Sequence, residues 1–219
     1  MLNDTVEAPE ETMFKRTLSE LKNHAPFTLA GAVTGIALVA GAVLLKVPQE
    51  GLRRLFESFH ALHVILSAIV TAAMYRRYKK HILACVLVGF VGSIGIGTLS
   101  DIVFPHLGAI AMGAEMGHVH IGFIEHWWLI NPAALLGVAI GILVPRTKVP
   151  HLGHVLLSMW ASAFYLLAHG SGNWLAWLPA VLVVLFLAVW LPCCVSDIVF
   201  PLLFVGKEAR EEVREEPIA

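Results

Sequence analysis

Apolar residues run through the chain in long blocks separated by short polar stretches, the pattern of membrane-spanning helices rather than of amphipathic stripes around a soluble core. Pro26 suits the first turn of a helix, and the first predicted span runs over about 27–47, followed by a charged loop at 48–57. The second covers about 58–75 and stops at Arg76-Arg77-Tyr78-Lys79-Lys80. The third, about 82–104, carries Gly89, Gly92, Gly95 and Gly97, which let another helix approach closely. The fourth and fifth cover about 129–144 and 151–168. The sixth starts near Trp174 and stays apolar to Val205, where Pro179, Pro192 and Pro201 predict a kink or break.

One segment differs in kind. His106 to Trp128 is moderately apolar, yet it holds Glu115, His118, His120, Glu125 and His126 and no Lys or Arg. It reads as an external loop, a re-entrant half-helix or a helix lying in the interface, with Trp127-Trp128 as an aromatic belt anchor. The predicted organisation is a polar tail (1–25), a first three-helix unit (26–105), the histidine-rich segment (106–128), a second three-helix unit (129–206) and an acidic tail (207–219).

Composition sharpens the class. The 219 residues are 58% apolar and 14% charged, against about 25% charged in soluble proteins. An all-α, multi-pass integral membrane protein is expected, with the lipid bilayer as its first partner. The polar, acidic start predicts no cleavable signal peptide. A net charge of −1 with no basic face gives no reason to expect a nucleic-acid partner. Cys85, Cys193 and Cys194 form neither a disulfide framework nor a CxxC pair. With six spans, only Lys46, Arg53 and Arg54 of the fifteen Lys and Arg fall opposite the termini. The positive-inside rule then puts both termini in the cytoplasm, which in a bacterial cell would mean the inner membrane. The glycines of the third span and small residues of the first would also allow a homodimer.

The two halves repeat each other. His60-Ala61-Leu62-His63-Val64-Ile65-Leu66-Ser67 returns 91 positions later as His151-Leu152-Gly153-His154-Val155-Leu156-Leu157-Ser158. Ser100-Asp101-Ile102-Val103-Phe104-Pro105 returns unchanged 96 positions later, from Ser196 to Pro201. Pro26, Gly31 and Gly35 align with Pro132, Gly137 and Gly141 at a spacing of 106. Three spans per repeat is an odd number, so the second half enters from the opposite side, and the expected architecture is two inverted three-helix repeats. The simplest picture is two related polar sites: His60, His63 and Asp101 near the outer face, and His151, His154 and Asp197 near the inner face. Broken or tilted helices would instead bring both sets to the midplane.

The residue types point to metal. Histidines three apart share a helical face and offer two imidazoles to one ion, with the aspartate of a neighbouring helix and Glu57 or water completing the set. Such ligands suit zinc, iron, manganese, cobalt or nickel as divalent ions. Cys193 and Cys194 make a soft-metal variant of the inner site conceivable. Glu115, His118 and His120, with Glu125 and His126, are candidates for an external ion trap. His24, His81, His106 and His169 sit at span ends and read as interfacial. Ser67, Thr71, Ser158 and Ser162 read as helix-packing residues. The function expected is a transporter or channel for a transition-metal cation, with protons as counter-ions because such ligands lose protons to hold metal. The alternatives are an intramembrane metalloenzyme, a haem-binding membrane protein, and a structural or assembly membrane protein.

Overall fold

The computed structural model describes residues 13–144 and 148–194, with Phe200 and Phe204. It is all-helical apart from one two-residue strand pair. In chain order the elements are α1 (Met13–Leu44), α2 (Gln49–Tyr78), α3 (Ile82–Thr98), a π turn (Leu99–Val103), α4 (Phe104–Ala111), β1 (Glu115–Met116), α5 (Gly122–Glu125), α6 (Trp127–Leu143), α7 (Lys148–His169), β2 (Gly170–Ser171) and α8 (Leu178–Cys194).

Several boundaries differ from the sequence expectation, each for a local reason. The charged stretch 48–57 is helix rather than loop, because α2 starts directly after Pro48. Its charges do not break it: Glu50 sits in the first turn, where the helix dipole favours an acid, and Arg54 Nε pairs with Glu50 Oε1 at 3.0 Å one turn away. The break between α1 and α2 is confined to a tight turn around Lys46, at φ 52°. The third span does not end at Phe104; it continues through the π turn into α4 and reaches Ala111. The histidine-rich segment is therefore composite. It holds the end of that helix, a loop whose β1 pairs antiparallel with β2 at the end of α7, and the single turn α5.

Among the described residues, three helices are long and apolar enough to cross a membrane: His24–Leu44 within α1, Gln49–Tyr78, and Ile82–Ala111. Trp127–Leu143 and Leu178–Cys193 are shorter apolar helices. Leu44, Leu83 and Leu143 stand 69%, 74% and 79% exposed, a surface suited to lipid and costly in water.

The packing is organised around α2 and α7, which lie against each other. α6 packs on α2, and α1 packs on α7; α1 also meets α8, and α3 meets α6. Glycines set these approaches. A Cβ at Gly31 would meet Leu156 and Met159 of α7, and one at Gly137 would meet Ile65 and Ala68 of α2. One turn on, Gly35 faces Met159 and Ala163, while Gly141 faces Ile69 and Ala72. The main core of Val39, Phe56, Ile102, Met159, Tyr165 and Leu185 fills the space between α1, α2, α7 and α8.

Candidate metal centre

The chain places Asp101 in the π turn, and the reason lies four residues on. Pro105 has no N–H and its ring would collide with the carbonyl of Asp101 in a regular α-helix, so the backbone widens. Phe104 N–H reaches back five residues to Leu99 O. The carbonyl of Ser100 is left without its usual donor, and the Ser162 hydroxyl of α7 takes it at 3.0 Å. A π turn of this kind often marks a functional position.

Asp101 is fully buried, and four donors converge on its carboxylate. Oδ2 accepts from His60 Nδ1 at 2.8 Å and His63 Nδ1 at 2.6 Å. Oδ1 accepts from the hydroxyls of Ser100 at 2.8 Å and Ser158 at 2.6 Å. That is the acceptor capacity of an ionised carboxylate. Both imidazoles present their Nδ1–H to it, which leaves the Nε2 lone pairs of His60 and His63 buried and without a hydrogen-bond partner among the described residues. A carboxylate that fixes the tautomer through one ring nitrogen and frees the other is the arrangement that tunes metal-binding histidines. The ligand atoms of His60, His63 and Asp101 lie within 4.8 Å of one another.

The depth differs from the simplest sequence picture. His63 sits 14 residues from Gln49 and 15 from Tyr78, at mid-helix rather than at the start of a span. His154, from the other half, comes to meet it: the two rings stack at 5.7 Å and 12°. His63, His154 and Cys193 form a second group whose ligand atoms lie within 4.8 Å of one another. The described members of the two histidine pairs thus converge. His151 lies in α7 with its side chain outside the described residues, and Asp197 lies outside them altogether.

A separate group lies at the other end of α7. His120 Nδ1 donates to Glu125 Oε2 at 2.8 Å, His118 Nε2 lies 3.4 Å from the same oxygen, and Ile121 N–H donates to Glu125 Oε1 at 3.0 Å. His118, His120 and Glu125 form a third set within 4.8 Å. Glu57 does not complete the Asp101 set; it faces His126 Nδ1 at 3.4 Å, because it stands a turn earlier on α2, level with this group. Glu115 is exposed on β1 opposite Ser171 and takes no part in the set. The segment itself has no cation, yet Arg53 of α2 lines the same open cleft of about 490 Å³ as Glu115, His118 and His169.

Between the two regions stands Phe56, 1% exposed. Its ring stacks on His60 at 5.5 Å and meets Tyr165, His169 and His120 edge-on at 5.2, 5.4 and 6.0 Å. His106 and His169 are therefore packed on aromatic neighbours rather than standing free at span ends. His106 is buried with Nδ1 3.0 Å from the Tyr165 hydroxyl, and His169 stacks on Tyr165 at 4.6 Å and on His120 at 5.0 Å. Phe56→Ala is expected to destabilise by about 3–5 kcal/mol through the cavity it leaves. Denaturant unfolding of the two proteins checks this, and equal stabilities would contradict a packing role for the ring.

The loop group titrates. Burial holds His120 below the usual imidazole range, partly offset by Glu125. Burial pushes the Glu125 carboxyl up, but the Ile121 N–H and the charge of His120 outweigh it and hold the group below its ordinary value. Both shifts are depressions, so their stabilisation is present above the unfolded values and is lost as pH falls. The apparent melting temperature is expected to drop from about pH 7 to pH 5, and less so in His120→Gln. Equal drops in the two proteins would contradict the His120 part of this account.

Ser158, read from the sequence as a packing residue, instead donates to Asp101, and Ser100 and Phe56 join the site beside it. The signal for Ser158 was present, since it closes the repeated histidine motif. Phe56 had no signal beyond being one turn before His60. Comparison with known protein families, characterised proteins and solved structures gives no match.

Proposed function

We propose that this protein is a small membrane transporter or channel for a divalent transition-metal cation, linked to protons and built as six spans in two inverted repeats with both termini cytoplasmic. The observation that carries the reading is the Asp101 carboxylate, buried at mid-bundle among four donors, with two imidazole nitrogens beside it left bare. A buried carboxylate in a membrane bundle costs several kcal/mol unless matched, and helix packing alone would be served by an apolar residue. Zinc, iron, manganese, cobalt and nickel all suit imidazole and carboxylate ligands.

The inverted repeat is supported by contacts in the same register. Gly31 and Gly35 of α1 meet Leu156, Met159 and Ala163; Gly137 and Gly141 of α6 meet Ile65, Ala68, Ile69 and Ala72. Subtracting the repeat spacing of 91 converts each α7 residue of that pair of sets into an α2 residue of the other. Ser67 and Thr71 occupy on α2 the places of Ser158 and Ser162 on α7, and their buried hydroxyls have no partner among the described residues. The repeat keeps His151, His154 and Asp197 as the proposed second set.

Metal entering from the cleft beside His118 would pass the loop histidines and Phe56 and reach His60, Asp101 and His63. Protons leave the ligands as the ion binds and return when it departs. The stacked His63 and His154 rings are not placed as two axial ligands on opposite faces of a haem, which favours the free-ion reading over haem. Purified protein should contain a first-row divalent metal by elemental analysis. Zinc at about a hundred times its dissociation constant should add about 2.7 kcal/mol of apparent stability. Absence of bound metal together with no thermal shift for any of the five ions would reject the proposal.

A further inference from the structure

We infer that His63, His154 and Cys193 form a thiolate-bearing metal position that selects zinc-like divalent ions, an inference that rests on the metal-transport reading and names its substrate class. The three residues come from three helices, α2, α7 and α8, so the position exists only in the assembled bundle. All three are buried, and their ligand atoms lie within 4.8 Å of one another. Cys193 Sγ stands 3.8 Å from the Ser158 hydroxyl, which itself bonds Asp101.

The two metal positions share His63, but they use it differently. An ion that takes Asp101 itself as a ligand, with the ring nitrogens facing it, has to replace the two Nδ1–H bonds to Oδ2. An ion at Cys193 that takes the other nitrogen of His63, Nε2, which is buried without a hydrogen-bond partner among the described residues, leaves the Asp101 network intact. Asp101 then orients a ligand rather than supplying one. Charge points the same way. A divalent ion, one thiolate and the Asp101 carboxylate sum to zero, whereas the ion with Asp101 alone leaves a buried positive charge, which is expensive in a low dielectric. Cys193 loses its thiol proton as the metal–sulfur bond forms, and that proton departs to water.

Sulfur also sets preference. A thiolate with two imidazoles favours zinc or cobalt over manganese or magnesium, which prefer oxygen. Three protein ligands leave a position open for water, the condition of an exchangeable rather than a closed structural site. His63, common to both positions, lets an ion move from one to the other by exchanging the ligands around it.

The test uses the full-length protein with one equivalent of metal. X-ray absorption of the zinc-loaded wild type should show sulfur at about 2.3 Å beside nitrogen at about 2.0 Å. Cobalt loading should give a sulfur-to-cobalt charge-transfer band in the near ultraviolet, lost in Cys193→Ser and kept in Cys85→Ser. That band should survive about a tenfold excess of manganese. A zinc shell of nitrogen and oxygen only, or a cobalt band unchanged in Cys193→Ser, overturns the inference while the transport reading stands. If the wild type binds neither zinc nor cobalt, the inference falls, and if it also binds none of iron, manganese and nickel, the transport reading falls with it. The wild-type zinc spectrum decides the matter even if the serine variant does not fold.

Discussion

Asp101→Ala is expected to weaken metal binding at both positions and to destabilise the protein by about 3–5 kcal/mol, the range for removing one partner of a buried ionic pair. The damage comes from what is left behind. His60 Nδ1–H, His63 Nδ1–H and the Ser100 and Ser158 hydroxyls all point at Asp101, and alanine offers none of them an acceptor. Asp101→Asn separates stability from ligation. Its amide can keep the oxygen toward the two imidazole Nδ1–H groups and donate its NH2 to the Ser100 and Ser158 hydroxyls, so the hydrogen bonds survive while the negative charge is lost. The asparagine variant should therefore melt closer to the wild type than the alanine variant, yet hold less metal than the wild type because a buried cation loses its compensating charge. Elemental analysis and thermal melts of the three proteins test this. Wild-type metal content in Asp101→Asn would contradict the role given to the carboxylate.

The second large effect belongs to a glycine remote from any ligand. Gly137→Ala is expected to destabilise by about 1–3 kcal/mol, and Gly137→Val by more, through overpacking. The added Cβ would run into the backbone carbonyl of Ile65 and come within 2.7 Å of Ala68 Cβ. Neither is the end of a flexible side chain, so α6 has to move away from α2, the helix that carries His60 and His63. Gly31→Ala is the contrast at the equivalent place in the first repeat. There the nearest atom is Met159 Cγ at 3.3 Å, a thioether chain that can turn aside, and alanine is the better helix former by about 1 kcal/mol. It should be neutral or slightly stabilising. Denaturation of the two variants separates them; equal stabilities would contradict the close α2–α6 approach.

Much of this was legible in the chain, for physical reasons that differ by residue. The apolar blocks reveal helices because a bilayer or a buried bundle leaves the backbone no other economical structure. The duplicated HxxH and SDIVFP motifs stand out because polar residues are rare against an apolar background, and His60, His63 and Asp101 do meet. SDIVFP also encodes the π turn, since Pro105 denies α4 the regular hydrogen bond that would have kept the helix uniform. Depth was not legible: the charged residues 49–57 looked like a loop, which moved His63 from mid-helix to a helix start. Side-chain direction was not legible either. Glu57 turns to His126, Glu115 to solvent, and Cys193 to Ser158, and each choice depends on which helix lies opposite. His106 and His169 looked interfacial because they end spans; the pinned loop that covers them is a tertiary feature with no local sequence pattern.

Whether the buried histidine–aspartate cluster carries a metal ion across the membrane, as we propose, is read from zinc uptake into proteoliposomes holding an internal zinc-sensitive dye. Wild-type protein is set against His63→Ala, the variant that removes the one residue common to both metal positions. Uptake by the wild type should be saturable and rise with an opposing proton gradient, and uptake by the folded variant should be no faster than into protein-free liposomes. Equal uptake by the two proteins, or wild-type uptake at the protein-free rate, would contradict the proposal.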